Sequence, residues 1–430
     1  TAAIAGTDTY LARLMVQTGA RLTSQGGSAG ATGGTAGSFY VQRGGLWDAG
    51  AGDVVVGGAG KGLLNVYGTP GGTTEIKAGR IVLGDSSGGS GKLEIWSDNG
   101  AATLITAASV TGGAGGGVVE FDLRGGTVPY DLAPALQSNL SVSLLNGDVR
   151  LRGLHDYTGT TTIKNGSLIL DGATLSRTDV DVQKGVLTRS GTIARGVTVR
   201  DGAELRGRTG QVLTMGGLAL NETSKVNVTL GAPSSSALFK VTSGLALNGQ
   251  LNVTDGGGFA QGSYRLFDYG GTLTNNGLVI ASLPTGFNPG DWSIDTGTTG
   301  QVNLVVPQAG AGEQYWDGSN TTPGGVPNGR GGSGTWNVAS SNWTNQAGTI
   351  NAPWASQKAI FAGPTPTGST LYNVTIADQV RASGLDFQTG GYSLFGSQIT
   401  LSPGAIVSAV ETTRAQTITL QTTIIGEGDL

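Results

Sequence analysis

YTGTTTIKNGSLILDG, residues 157–172, carries no obvious catalytic side chain, yet parts of it return along the chain. Gly147 opens GDVRLRG, Gly166 opens GSLILDG, Gly185 opens GVLTRSG and Gly202 opens GAELRG, at nearly even spacing. Each unit joins a turn to a short alternating strand. Asn165-Gly166 accepts φ > 0, after which Leu168 and Leu170 point to one face and Ile169 to the other. The same grammar appears in EFDL (Phe121, Leu123), KVNVTL (Val226, Val228, Leu230) and GQLNVTDG (Leu251, Val253).

A repeat this short, holding about three strands, does not fit a propeller blade and is too glycine-rich for a leucine-rich repeat. It fits one coil of a parallel β-helix, in which coils stack at the inter-strand spacing of about 4.8 Å and inward Leu, Val and Ile form ladders. A longer period links VVVGGAGKGLLNV (54–66), IVLGDSSGGSGKLEI (81–95) and VTGGAGGGVVEF (110–121), which read as larger coils of the same solenoid. A β-sandwich explains the alternation but not the phased glycines. The expected fold is all-β: a right-handed parallel β-helix, the hand following from the bias of parallel crossovers, with a second, partial β-helix at the C-terminal end.

Composition narrows the function. Glycine supplies 78 of 430 residues, about 18% against an average of about 7%, which cuts the apolar material into short pieces and disfavours long helices. With 25 Lys and Arg against 29 Asp and Glu there is no basic surplus for phosphate neutralisation, so nucleic acid is not an expected partner. The absence of cysteine excludes disulfides, thiolate metal sites and a Cys nucleophile. The first residues have no basic region leading into a long apolar one, and the last, TITLQTTIIGEGDL, read as a strand cut short. The chain is expected to be a piece of a longer protein.

Five segments are expected: a Gly-rich lead-in and cap over 1–39, the parallel β-helix over 40–253, a closing cap over 254–306, a linker over 307–313, and an incomplete Trp- and Gly-rich β-helix unit over 314–430. The cap reading rests on Phe259, Tyr264, Phe267 and Tyr269, rings too large on this reading for ladders of Leu and Val, with Trp292 nearby.

Residues 157–172 resemble the passenger-associated repeat of bacterial autotransporters, whose usual form is Tyr-Thr-Gly, then Thr-Thr-Ile, a turn and Gly-x-Leu. GVLTRSGTIARGVTVRDGAEL (185–205) is similar to the coil that commonly follows, residues 212–306 to the segment that often closes a passenger unit, and 315–345 to the Trp- and Gly-rich opening of the next. The resemblance implies a β-helix passenger of a Gram-negative bacterium, exported through the outer membrane and displayed or secreted, with a C-terminal outer-membrane β-barrel in the full-length protein. It also implies, most often, an adhesin or aggregation factor, although some passengers of this family are serine proteases. No enzymatic activity or cofactor is expected from the residues, which offer one histidine, no cysteine, no ordered triad and no phosphate loop. The partner of an adhesin would be a host-cell surface or extracellular matrix protein or glycan, or a sister passenger. The alternatives are a β-helix enzyme acting on polysaccharide and a secreted effector that binds a host receptor.

Several residues are candidates for chemistry. Ser86 in GDSSGG satisfies a G-x-S-x-G pattern, but His155, the one histidine, follows it in the chain, against the chymotrypsin order, and no strand-to-helix elbow is expected. His155 itself reads as an exposed turn side chain. Asp179, Asp181 and Lys184 are a weak match to a polysaccharide lyase site, and outward Asp at a period of two is what any solvated strand shows. No metal site is expected. Trp316, Trp336, Trp343 and Trp354 remain as ligand-binding candidates, since rings on a flat face stack on sugars or anchor a protein. The competing reading has them plug the end of the second β-helix core.

Overall fold

The computed structural model describes residues 2–4, 6–7, 12–260, 262–284, 292–306, 312–367, 370–409 and 417–426. The described residues up to Val305, other than Trp292, form one compact unit, and Trp292 with those from Val306 onward forms another. Every regular element among them is a strand.

Alternation decides which side of each strand is buried. Lys225–Leu230 turns Val226, Val228 and Leu230 inward and Lys225, Asn227 and Thr229 outward. In the first unit such strands pair in parallel with the strand one coil further on. One row runs in register through Asp148, Ser167, Val186, Glu204, Lys225, Gln250 and Val279, one position per coil, and the coils lengthen toward its end. The larger N-terminal coils obey the same rule, with Val54 beside Ile81 and Ile81 beside Val110. Parallel pairing reaches back to Ala12–Gln17 against Thr35–Gln42, so residues 12–39, read from sequence as a lead-in segment, carry the same coiling as those after 40.

The corner between strands is where coils are tied together. Ser167 N–H donates to the Gly147 carbonyl (3.1 Å), Val186 to Gly166 (2.8 Å), Glu204 to Gly185 (2.9 Å) and Lys225 to Ala203 (2.8 Å). Gly166 sits at φ 83°, and a Cβ there would collide with the Gly147 carbonyl directly beneath it. That close stacking explains the phased glycines. The pairing also corrects the fourth repeat: Ala203, not Gly202, occupies the corner above Gly185, and Gly202 is the preceding turn residue at φ 77°.

The Tyr-Thr-Gly stretch belongs to the interior. Tyr157 is fully buried, and its hydroxyl meets Thr161 Oγ1 (2.5 Å), which meets Thr178 Oγ1 (3.1 Å), which donates to the Gly159 carbonyl (2.6 Å). Burial therefore leaves none of these hydroxyls unpaired.

Large rings do fit the ladders, contrary to the argument made for 254–306. Phe267 pairs in register with Phe239, which pairs with Leu213, and the two rings stack at 5.1 Å. Room comes from Gly207, where a Cβ would lie 2.6 Å from the Phe239 ring.

In the second unit, Lys358–Phe361, Val380–Phe387, Ile399–Ala409 and Ile424–Gly426 stack in parallel, as do Gly334–Trp336, Tyr372–Ile376, Tyr392–Gly396 and Thr419–Gln421. Its opening differs, because Trp343–Thr344 runs antiparallel to both Glu313–Trp316 and Asn351–Ala352.

Two glycines separate the corner constraint from backbone conformation alone. A left-handed alanine costs about 1–3 kcal/mol at either position. Gly172 (φ 73°) has open space at its Cβ, whereas Gly166 has the Gly147 backbone. Gly166→Ala is expected to lower the chemical-denaturation midpoint well beyond Gly172→Ala, and equal losses would remove the stacking argument.

Candidate functional site

The candidate catalytic residues are not brought together. Ser86 is exposed in the turn after Arg80–Leu83, and its N–H donates to the Gly58 carbonyl (2.8 Å). Along the ladder Ile81, Val110, Leu136, His155, three coil steps of about 4.8 Å each separate the coil of Ser86 from that of His155. His155 is also not an exposed turn residue. Tyr157 must point inward, so the period of two turns His155 inward as well, at 1% exposure, and leaves Leu154 outside at 60%.

His155 thus replaces an aliphatic residue in the ladder between Leu136 and Leu175. Its Nδ1 accepts from Leu136 N–H (3.2 Å), and Nε2–H donates to the Arg152 carbonyl (3.1 Å). These partners fix the neutral tautomer, because a proton on Nδ1 would face the Leu136 N–H. Burial holds its pKa below the usual imidazole range, opposed by the bond to Arg152. Both ring nitrogens are occupied, so His155 has none free to act as a base.

Asp181 accepts from Arg200 Nε (2.6 Å) and Gln183 Nε2 (3.0 Å). Burial pushes its pKa up, but these hydrogen bonds outweigh it and hold the carboxyl below the usual range. Asp179 Oδ1 instead accepts from Gly196 N–H (2.9 Å), and Lys184 is exposed. Among the described residues no three His, Asp or Glu side chains converge as a metal site would require.

Burial removes the four tryptophans as ligand platforms. Trp316, Trp336 and Trp343 are fully buried and Trp354 is 2% exposed. Their rings pack on one another with centroids 4.3–5.0 Å apart and against Phe361. Trp316 Nε1–H donates to the Gly332 carbonyl and Trp354 Nε1–H to the Arg381 carbonyl, each at 2.8 Å. These indoles form the core at the opening of the second unit.

The outward face of the first unit carries the candidate site. On several coils a basic side chain is ion-paired: Arg80 with Asp53, Lys92 with Glu94 and Glu120, Arg152 with Asp131 and Asp171, Arg200 with Asp181. Cations gather over Val186–Val199, Glu204–Arg208, Lys225–Leu230 and Gln250–Asp255. Here a groove of about 810 Å³ is lined by Arg189, Arg206, Arg208 and Lys225 with one carboxylate, Glu204. Glu204 Oε2 is taken by Arg206 (2.6 Å) and by Asn227 Nδ2 (3.0 Å), and Asn252 Nδ2 donates in turn to Asn227 Oδ1 (2.8 Å). Arg189, Arg208 and Lys225 have no ion pair among the described residues.

Sequence reasoning missed this groove, although a signal was present. Leu151 and Leu170 occupy an inward row, and the next residue in register is Arg189. A charged residue at a ladder position has to be turned out, and Arg189 is exposed with a left-handed backbone, φ 77°.

No protein-family model matches the chain. It is similar to the Adhesin BmaC autotransporter of Brucella suis biovar 1 (strain 1330), with 32% identity over 281 residues, covering 59% of this chain and 8% of that protein. The chain is autotransporter passenger-like, and it spans less than a tenth of the length of this relative.

With one histidine in the chain, His155 dominates side-chain titration between pH 7 and 5. The unfolded imidazole takes up a proton below about pH 6.5 and the folded one does so only at lower pH, so stability is full above that value and falls as pH drops through it. Carboxylates held low in the fold, such as Asp122 and Asp181, add a smaller loss that begins only at the acid end of this window. Urea midpoints measured at pH 7.5 and 5.0 should therefore differ for the wild-type chain, with the lower value at pH 5.0, and the gap should narrow in His155→Gln. An unchanged pH dependence in that variant would show that the imidazole is not responsible.

Proposed function

We propose that this autotransporter passenger-like chain is a surface-displayed or secreted adhesin segment built on a right-handed parallel β-helix. Its similarity to a protein named as an adhesin carries the reading. Parallel pairing from coil to coil supports the β-helix, and the strong bias of parallel crossovers supports its hand. In this reading the full-length protein carries a C-terminal outer-membrane β-barrel, the passenger lies outside the Gram-negative cell, and the outward rows contact a host-cell surface, a matrix component or a sister passenger. The role is binding and not turnover: His155, the candidate general base, has both nitrogens committed to backbone groups.

Segment 254–306 closes the first stack in this proposal. Supporting it is the antiparallel pairing of Ser293–Asp295 with Gln301–Val306, which departs from the parallel rule, and the stacked pair Phe259 and Tyr264 at 5.0 Å. An uncovered coil would leave strand edges free to pair with other chains.

Two measurements test these statements. Displayed on a non-adherent bacterium, the chain should confer attachment to host cells or matrix, or self-aggregation, and retain it in Ser86→Ala and His155→Gln; no attachment and no aggregation would reject the adhesin reading. A fragment ending at 306 should remain monomeric where one ending at 253 aggregates. Equal solubility of the two would remove the closing role.

A further inference from the structure

We propose that the groove around Arg189, Arg208 and Lys225 binds an acidic polysaccharide, a linear glycan bearing sulfate or uronate groups. The proposal deepens the adhesin reading by naming a ligand class, and it rests on that reading only for its biological setting.

Three observations converge. The first is charge: three cations without an ion pair among the described residues line one groove, the single acid there is already held by Arg206 and Asn227, and Lys164 and Lys184, which also have no ion pair among the described residues, lie outside it. A groove lined by one sign of charge raises the local concentration of the opposite one. The second is the backbone. Arg189 has φ 77°, a conformation that L side chains rarely adopt and that carries strain, and its side chain lies on the groove and not in the ladder. Strained non-glycine residues cluster at binding sites, where surrounding structure holds them.

The third observation is the lining chemistry. The row Thr188, Arg206, Asn227, Asn252 runs in register from coil to coil, beside the row Arg208, Thr229, Thr254. A hydroxyl, guanidinium or amide side chain therefore recurs on each coil, about every 4.8 Å along the stack, where the hydroxyls and guanidinium groups can hydrogen-bond successive sugar units. Guanidinium forks suit sulfate and carboxylate oxygens. No aromatic ring lines the groove, and its one large apolar residue, Val228, is 2% exposed. A protein partner would lack an anchor pocket and a single-stranded nucleic acid would lack a stacking platform.

The test uses the purified chain, residues 1–430, and direct binding to four polymers: heparin for sulfate, polygalacturonate for uronate, dextran as the uncharged glycan and polyglutamate as the acidic polypeptide. One or both acidic glycans should bind, with affinity falling steeply as salt shortens the screening length, and dextran should not. Each lost charge-assisted hydrogen bond corresponds to roughly tenfold, so Arg189→Gln with Arg208→Gln should weaken binding by at least about tenfold. Lys164→Gln with Lys184→Gln, the same charge change outside the groove, should leave it unaltered. Arg189→Gly keeps the fold testable: it relieves the left-handed strain, so its denaturation midpoint should rise while glycan binding falls. Equal losses in the two double variants, polyglutamate binding as tightly as the glycans, or no glycan binding at all would overturn the proposal. If glycan binding is absent while the displayed chain still attaches to cells, the ligand class is wrong and the adhesin reading stands. If the glycan binds and displayed cells do not attach, the reverse holds.

Discussion

The hydrogen bond from the first N–H of one strand to the corner carbonyl of the coil beneath is the constraint on which the first unit depends. It recurs from Gly147 through Gly166, Gly185 and Ala203 to Ser224 and Gly249. Each bond fixes where the next strand begins, and a strand's starting point fixes which of its side chains face inward, since a slip of one residue would exchange the two faces. Small residues at the corner are a consequence: at Gly166 the backbone of the preceding coil occupies the place of a side chain. Core ladder, outward rows and groove all inherit their register from this contact.

Once register is fixed, the inward ladders accept more varied side chains than a stack of aliphatics would. One ladder passes from Val54 through Ile81, Val110 and Leu136 to His155, then Leu175, Ile193 and Met215. A neutral imidazole fits there because two backbone groups satisfy both of its nitrogens. Phenylalanine fits at 239 because Gly207 leaves space. In the second unit the corresponding volume is taken up by four indoles, and the two with acceptors, Trp316 and Trp354, tie ring positions to the Gly332 and Arg381 carbonyls.

The repeat carried the fold because its signal is local. Phased glycines mark corners, and Leu168 and Leu170 mark an inward face, so an all-β chain and the strand positions around 147–172 were legible. What could not be read was governed by a neighbouring coil. His155 follows a leucine and precedes an aspartate, and only the inward demand of Tyr157 reverses its orientation relative to Leu154. Phe267 looked too large until its partner Phe239 and the gap at Gly207 were seen together. The tryptophans read as possible ligand platforms because sequence spacing does not reveal that Trp343 lies antiparallel to Trp316. The groove was half legible: the substitution of Arg189 for a ladder leucine is visible when repeats are aligned, but the unmatched charge of Arg208 and Lys225 requires the coil register.

In the row from Asp148 to Val279 the coil between Val186 and Glu204 is the shortest and that between Gln250 and Val279 the longest, yet the pairing stays parallel throughout. In chain-closure terms, lengthening a coil over that range costs only about 0.4 kcal/mol, because the entropy of closing a loop grows with the logarithm of its length. Residues inserted at a corner that does not carry the stacked glycine are therefore nearly free, and they leave the coils above and below undisturbed. Such a scaffold can lengthen one loop at a time, so new surface can evolve by insertion between strands while the interior ladders remain as they are.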